Sequence, residues 1–225
     1  MTYVMSDLHG QYDKYLAMLD KIAFKKSDTL FIVGDICDKG PAPIKILQDM
    51  MVRPNVFPIM GDSDLRALRL LTKMNSDEAK SDPDFRLEFA KWLQDGGMTT
   101  VTAFRELDEE EQSDILEYLR EEFVAYDEVE IGDTVYLMVH AGLPDGVSDP
   151  DDCEVEDLTE GEPDFSREVF EDKILITGHM PTYLQSEDFR GRIYRRNGQI
   201  GIDCGASEGE KLGCLCLDNG QEFYV

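Results

Sequence analysis

The chain contains three histidines, and each follows an apolar run closely with glycine nearby: His9 in VMSDLHG, His140 in VYLMVHAG and His179 in ILITGHMPT. Aspartates follow the same pattern. Asp7 stands two residues before His9, Asp35 and Asp38 follow the apolar run of FIVGDICDKG, and Asp62 follows VFPIMG. Carboxylates grouped this closely repel one another unless a positive charge lies between them. Imidazole and carboxylate together favour Mn, Fe, Zn or Co over the all-oxygen sites of Ca or Mg. Seven such groups are too many for one tetrahedral ion and suit two metals sharing a bridging carboxylate. A two-metal centre activates a bridging water and clamps oxygens during in-line attack at phosphorus.

For these side chains to meet, the apolar runs must be strands that end on one rim. TYVM (2–5), TLFIV (29–33) and VFPIM (56–60) each precede an amphipathic pattern: YDKYLAMLDKIA, PIKILQDMM and LRALRLLTKM. Such alternation implies a parallel sheet with helices packed over it. Ligands of open α/β sheets gather outside the carboxyl ends of the strands. On an extended strand end, Asp7 and His9 would point the same way. Residues 75–125 read as a helical insertion or cap, with DFRLEFAKWLQD and EEEQSDILEYLREEF separated by GGMTT and Trp92 as the anchor of its core. From 126 strands dominate, starting with a hairpin that turns at Gly132-Asp133. The fold class expected is α/β, one layered domain over 1–225 with a mixed or two-sheet core and the insertion at 75–125.

Forty-eight acidic residues against 22 basic give a formal charge of −26. A surface of that sign repels nucleic-acid backbone and anionic membrane, so neither is expected as a partner. The first residues carry no basic stretch followed by a long apolar one, and no run approaches the roughly 18 apolar residues of a span, so the expected location is the cytoplasm. Five cysteines without a CxxC pair read as reduced thiols. Cys214 and Cys216 alternate like strand residues sharing a face.

Taken in order, SDLHG (6–10), GDICDKGP (34–41), GDSD (61–64), VHAG (139–142) and GHMPT (178–182) resemble the blocks of the calcineurin-like metallophosphoesterases. The likeness is greatest to the bacterial phosphoprotein phosphatase group, whose members are Ser/Thr protein phosphatase-like. WLQDGGMTT (92–100) and the ending IDCGASEGEKLGCLCLDNGQEFYV extend it over nearly the whole chain. The resemblance implies an α/β/β/α two-sheet sandwich and two divalent ions, manganese first, with Fe, Zn, Co or Ni as the others. It implies Asp7 and His9 on one ion, Asp35 bridging, and Asp62, His140 and His179 on the second. Asp38 would orient the acid and polarise the site, and Lys39 stands where the family has a phosphate-binding arginine.

The third block departs from the family. Gly-Asn-His is usual there, with the asparagine on the metal and the histidine as general acid; this chain has Asp62 and Ser63. Asp62 can ligate through oxygen, but a third carboxylate lowers the charge of the centre and its pull on a phosphate. Ser63 can donate a hydrogen bond but cannot act as an acid near neutrality, a loss of about 10²–10⁴-fold that falls on poor leaving groups. Lys39 lacks the bidentate fork of arginine. Glu162 stands where related bacterial sequences carry a phosphate-contacting arginine, leaving Arg66 or Arg167 to compensate. The expected function is hydrolysis of phosphomonoesters on a phosphorylated small molecule or phosphoprotein, limited to good leaving groups. One alternative is a dinucleoside polyphosphate hydrolase, whose leaving group needs little acid help; the negative charge opposes it unless Arg192, Arg195 and Arg196 gather near the cleft. The other is a pseudophosphatase that binds metal without turnover.

Overall fold

Residue alternation along each strand decides which layers it joins. In β1 (Thr2–Met5) Tyr3 and Met5 face one apolar cluster and Val4 another, and in β2 (Thr29–Val33) Leu30 and Ile32 part from Phe31 and Val33 in the same way. The computed structural model describes residues 1–225, apart from the side chains of Glu78 and Lys80. It contains two five-stranded sheets. The first runs β10-β9-β1-β2-β3, with β1, β2 and β3 (Val56–Ile59) parallel and β9 (Gly213–Cys216) antiparallel to both β1 and the edge strand β10 (Glu222–Tyr224). The second runs β4-β5-β6-β8-β7, built from Tyr126–Ile131, Thr134–Val139, Lys173–Thr177, Gln199–Gly201 and Tyr194–Arg196. The hairpin at Gly132-Asp133 forms in the expected register, with Ile131 opposite Thr134.

Val4, Phe31, Val33 and Ile59 of the first sheet meet Met138, Ile176 and Ile200 of the second, so the sheets pack face to face. The outer face of the first sheet is covered by α1 (Tyr12–Lys21), α2 (Pro43–Met51), α3 (Asp62–Lys73) and the later helices. Cys214 and Cys216 both join that layer, while Leu215 points between the sheets. Among the described residues one short α-helix, α8 (Val155–Thr159), packs on the far side of the second sheet, through Leu158 against Leu137, Val139 and Leu175. The fold is the expected sandwich with a thin fourth layer.

Two boundaries differ from expectation. Helix α3 begins at Asp62 rather than Leu65, because the Asp64 carboxylate reaches back to the Gly61 N–H and closes the first turn. Between β3 and β4 lie α4 (Asp77–Ser81), α5 (Pro83–Trp92), α6 (Met98–Arg105) and α7 (Glu109–Glu121), so GGMTT does not separate two helices. Instead Leu93–Gly97 forms a π turn kinked at Gly96 (φ 120°), and Met98 starts a further helix. The kink lets the Gly96 carbonyl accept from the Lys39 N–H at 3.0 Å. Trp92 is 1% exposed, and its indole N–H donates to Asp38 at 2.6 Å, so it anchors this segment on the loop after β2. Trp92→Phe keeps most of the ring but leaves a buried carboxylate short of a donor. It should cost about 1–3 kcal/mol and lower the melting temperature by about 2–4 °C per kcal/mol. An unchanged melting curve would show that the bond does not anchor the helices.

Candidate metal centre

Both sheets deliver their functional residues at strand C-terminal ends that abut. Asp7 and His9 follow β1, Asp35 and Asp38 follow β2, Asp62 follows β3, His140 follows β5 and His179 follows β6. Eight described non-glycine residues have positive φ, and six of them are Asp7, His9, Asp35, Asp38, Lys39 and His179. Left-handed backbone costs such residues on the order of 1–3 kcal/mol each and collects at functional sites. Here it corrects one expectation: Asp7 (φ 53°) and His9 (φ 39°) converge because the chain coils left-handedly, not because a strand alternates. Two glycines let the strand ends approach. A Cβ on Gly34 would collide with the His140 ring, and one on Gly178 with Ser6 Oγ and the Asp7 carboxylate.

Two groups of ligand atoms result, each within 4.8 Å: Asp7, His9 and Asp35, and Asp35, Asp62, His140 and His179. Asp35 belongs to both. His140 Nε2 lies 3.2 Å from His179 Nδ1, 3.4 Å from Asp35 Oδ1 and 3.5 Å from Asp62 Oδ1, and His9 Nε2 lies 3.1 Å from Asp35 Oδ2. Ligands bonded at roughly 2.0–2.2 Å to a common cation stand roughly 3.0–3.5 Å apart, so the spacing fits one ion in each group. The ring nitrogens fit too. His140 Nδ1 is 2.9 Å from the Val33 carbonyl and His9 Nδ1 is 2.9 Å from the Cys37 carbonyl, which places the protons there and turns both Nε2 lone pairs inward. The Lys39 ammonium comes to 2.8 Å from His9 Nε2, so this point already attracts a cation.

Charge explains why the cluster holds together. Burial works against ionised Asp35, yet the His140 ring holds its carboxyl well below the usual range. Burial likewise pushes the His140 ring down, but Asp35 and Asp62 outweigh it and carry it up to about 10. Asp35 also acts on His9, but an ammonium donor at Nε2 requires a lone pair there, so we take His9 as neutral.

The remaining predicted residues divide. Asp38 makes no hydrogen bond to Ser63 among the described residues. Both its oxygens are occupied by the insertion, one by Trp92 and the other by Thr100 Oγ1 at 2.6 Å. Ser63 donates its backbone N–H to Asp35 Oδ1 at 3.0 Å, while its hydroxyl makes no hydrogen bond among the described residues. Arg66 lies beside the centre, 3.5 Å from Asp62. Arg167 pairs with Asp145 at 2.8 Å and Asp164 at 3.4 Å, in a cavity that Glu162 also lines. Arg195 and Arg196 lie on the edge strand β7, Arg195 held by Glu222 at 3.0 Å.

Two residues escaped the sequence reading. Asp64 is fully buried and accepts from the N–H groups of Ile36 (3.0 Å), Cys37 (2.9 Å) and Gly61 (3.2 Å), which locks the loop after β2 to the start of α3. The signal was there in GDSD, where an acid three residues past a cap closes a helix start. Asp203 is buried near Asp7; burial and that neighbouring charge push its carboxyl well above the usual range.

A family model described as calcineurin-like phosphoesterase matches residues 2–203. Among curated proteins, the chain is 30% identical over 100 residues to a symmetrical bis(5'-nucleosyl)-tetraphosphatase of Wigglesworthia glossinidia brevipalpis, covering 40% of this chain and 36% of that protein. It is 32% identical over 81 residues to the same-named protein of Shigella dysenteriae, covering 35% and 29%. The chain thus matches about a third of the length of these relatives. Among solved structures, a candidate diadenosine tetraphosphatase superposes with a TM-score of 0.67 at 20% identity, over 100% of this chain and 92% of that one. A Saccharomyces cerevisiae protein serine/threonine phosphatase gives 0.60 at 14%, over 100% and 78%. At such identities the structures establish the fold.

In metal-stripped protein the His140 ring keeps its proton up to about pH 10, so a cation must displace it. Apparent affinity for Mn²⁺ should therefore rise by about tenfold per pH unit for each proton displaced. Chelator competition between pH 6.5 and 8.5, with proton release read by calorimetry in two buffers, checks this. A flat affinity would remove these residues from the ligand set.

Proposed function

The chain belongs to the calcineurin-like phosphoesterase family, and on that premise we propose that it is a divalent-metal-dependent hydrolase that cleaves phosphoanhydride bonds, with a dinucleoside polyphosphate as substrate. The observation that carries this reading is Ser63. It opens α3 next to Asp62 and Asp35, and its backbone N–H is fixed on Asp35. Its hydroxyl can donate a hydrogen bond to a leaving oxygen but cannot give up a proton near neutrality. An alkoxide leaving from a serine or threonine phosphate needs that proton. A nucleotide phosphate leaves as a stable anion and does not.

The other residues have roles consistent with this. Asp7, His9, Asp35, Asp62, His140 and His179 would hold the ions, and mixed imidazole and carboxylate donors support manganese over calcium or magnesium. Divalent ions held there supply Lewis acidity toward a phosphoryl oxygen and acidify a water for attack at phosphorus. Lys39, anchored through its own N–H on Gly96, offers its ammonium to a phosphoryl oxygen as a point charge. Ser63 offers a hydrogen bond to the bridging oxygen. Asp38 positions rather than reacts: it ties the Asp35 loop to Trp92 and Thr100. The tetraphosphatase names of the curated relatives support the same substrate class, and five free thiols support a reducing, cytoplasmic setting. The phosphomonoesterase expectation is weaker, because Ser63 cannot protonate an alkoxide near neutrality.

Mn²⁺-reloaded protein should hydrolyse diadenosine tetraphosphate and, more slowly, p-nitrophenyl phosphate, and Asp35→Asn should abolish both rates. Ser63→His should raise hydrolysis of an alkyl phosphate by about 10²–10⁴-fold and change anhydride hydrolysis little. An equal gain on every substrate would sink the missing-acid account. No turnover by a metal-loaded protein would make the chain a binding protein.

A further inference from the structure

We infer that Arg66, Arg69 and Lys91 form a subsite for a second phosphate of the substrate, next along the chain from the phosphate under attack; this rests on the metal-centre reading above. Arg66 and Arg69 are three apart on α3, hence on one face. That helix starts at Asp62, so they lie about 6 Å and about 10.5 Å further along its axis than the candidate ligand. A single phosphate at the centre does not cover that span, whereas a phosphate chain does. Lys91 faces them from α5, next to Trp92, whose indole is fixed on Asp38. The three line one cleft of about 200 Å³ together with Asp62 and Trp92.

Their hydrogen-bonding capacity is largely unspent. Arg66 touches Asp62 only at 3.5 Å, Arg69 approaches Glu88 only to 3.9 Å, and Lys91 has no ion pair among the described residues. With Asp62 assigned to metal, the cleft sets three cations against Glu88, Asp95 and Glu160. On a chain of net charge −26 that local balance is unusual. The neighbouring cavity of about 460 Å³ decides the direction: it sets six carboxylates against Arg167, which Asp145 already holds. A polyanion anchored at the centre is repelled there and accommodated along α3.

The test compares inorganic tripolyphosphate with orthophosphate on the Mn²⁺-loaded protein, with fluorescence of Trp92, the chain's one tryptophan, as the binding signal and calorimetry as a second. Tripolyphosphate should bind more tightly, and more steeply so as salt is lowered. Arg69→Gln with Lys91→Gln should weaken tripolyphosphate by at least about tenfold and raise KM for diadenosine tetraphosphate. Orthophosphate affinity and p-nitrophenyl phosphate turnover should stay within about twofold of wild type. Equal affinity for the two anions in the wild type, or a parallel loss of both in the variant, overturns the subsite. A selective loss of tripolyphosphate in a protein that turns over nothing upholds the subsite and instead overturns the catalytic reading.

Discussion

One buried carboxylate, Asp35, sets the terms for the rest of the structure. It is 3% exposed and belongs to both ligand groups. Its Oδ2 faces His9 and its Oδ1 faces His140, while Oδ1 also accepts the Ser63 N–H. A carboxylate so desolvated survives as an anion only beside positive charge. The two-sheet architecture meets that need: β2 brings Asp35 to the rim, β1 brings Asp7 and His9 beside it, and the second sheet brings His140 and His179 from the other side. The bare Cα positions at Gly34 and Gly178 are what permit so close a junction. Left-handed backbone at six neighbouring residues is the strain that the rim tolerates to aim those side chains.

That strain needs support from further out, and the helices between β3 and β4 provide it. Asp38 and Lys39, both left-handed, are gripped by Trp92, Thr100 and the Gly96 carbonyl. From below, Asp64 gathers the N–H groups of Ile36, Cys37 and Gly61 on one buried carboxylate. The loop after β2 is thus held at one end by the buried Trp92 and Thr100 and at the other by the buried Asp64, and a site on such a loop keeps its geometry. The insertion is therefore a part of the site's scaffold, whatever it does for substrate.

Much of this was legible in the sequence because it rests on short-range pattern. Strand alternation separates Tyr3 and Met5 from Val4, and an apolar run ending in Gly-Asp or Gly-His places its polar residue at a rim. The three histidines could be assigned to one rim because each closely follows an apolar run. What was not legible depends on partners distant in sequence. Nothing local to Asp38 announces that Trp92, 54 residues away, takes one of its oxygens. Nothing around Asp7 signals left-handed coiling, since aspartate tolerates but does not demand it. GGMTT misled because paired glycines usually end a helix; here the Leu93–Gly97 π turn carries the helical path into α6.

Asp62 and Ser63 then shift the chemistry together. A third carboxylate in the ligand set would make bound ions less electrophilic, leaving less of the barrier to be removed by polarising a phosphoryl group. A hydroxyl in the acid's place removes the means of helping a poor leaving group depart. Both changes act in the same direction, and both favour the proposed reading, in which the bond to be broken is weak already. A phosphoanhydride is such a bond, and its remaining phosphates carry the negative charge that a weakened centre no longer attracts well. On the proposed reading affinity would come from elsewhere on the chain, and the cations along α3 are the ones the fold places next to the centre.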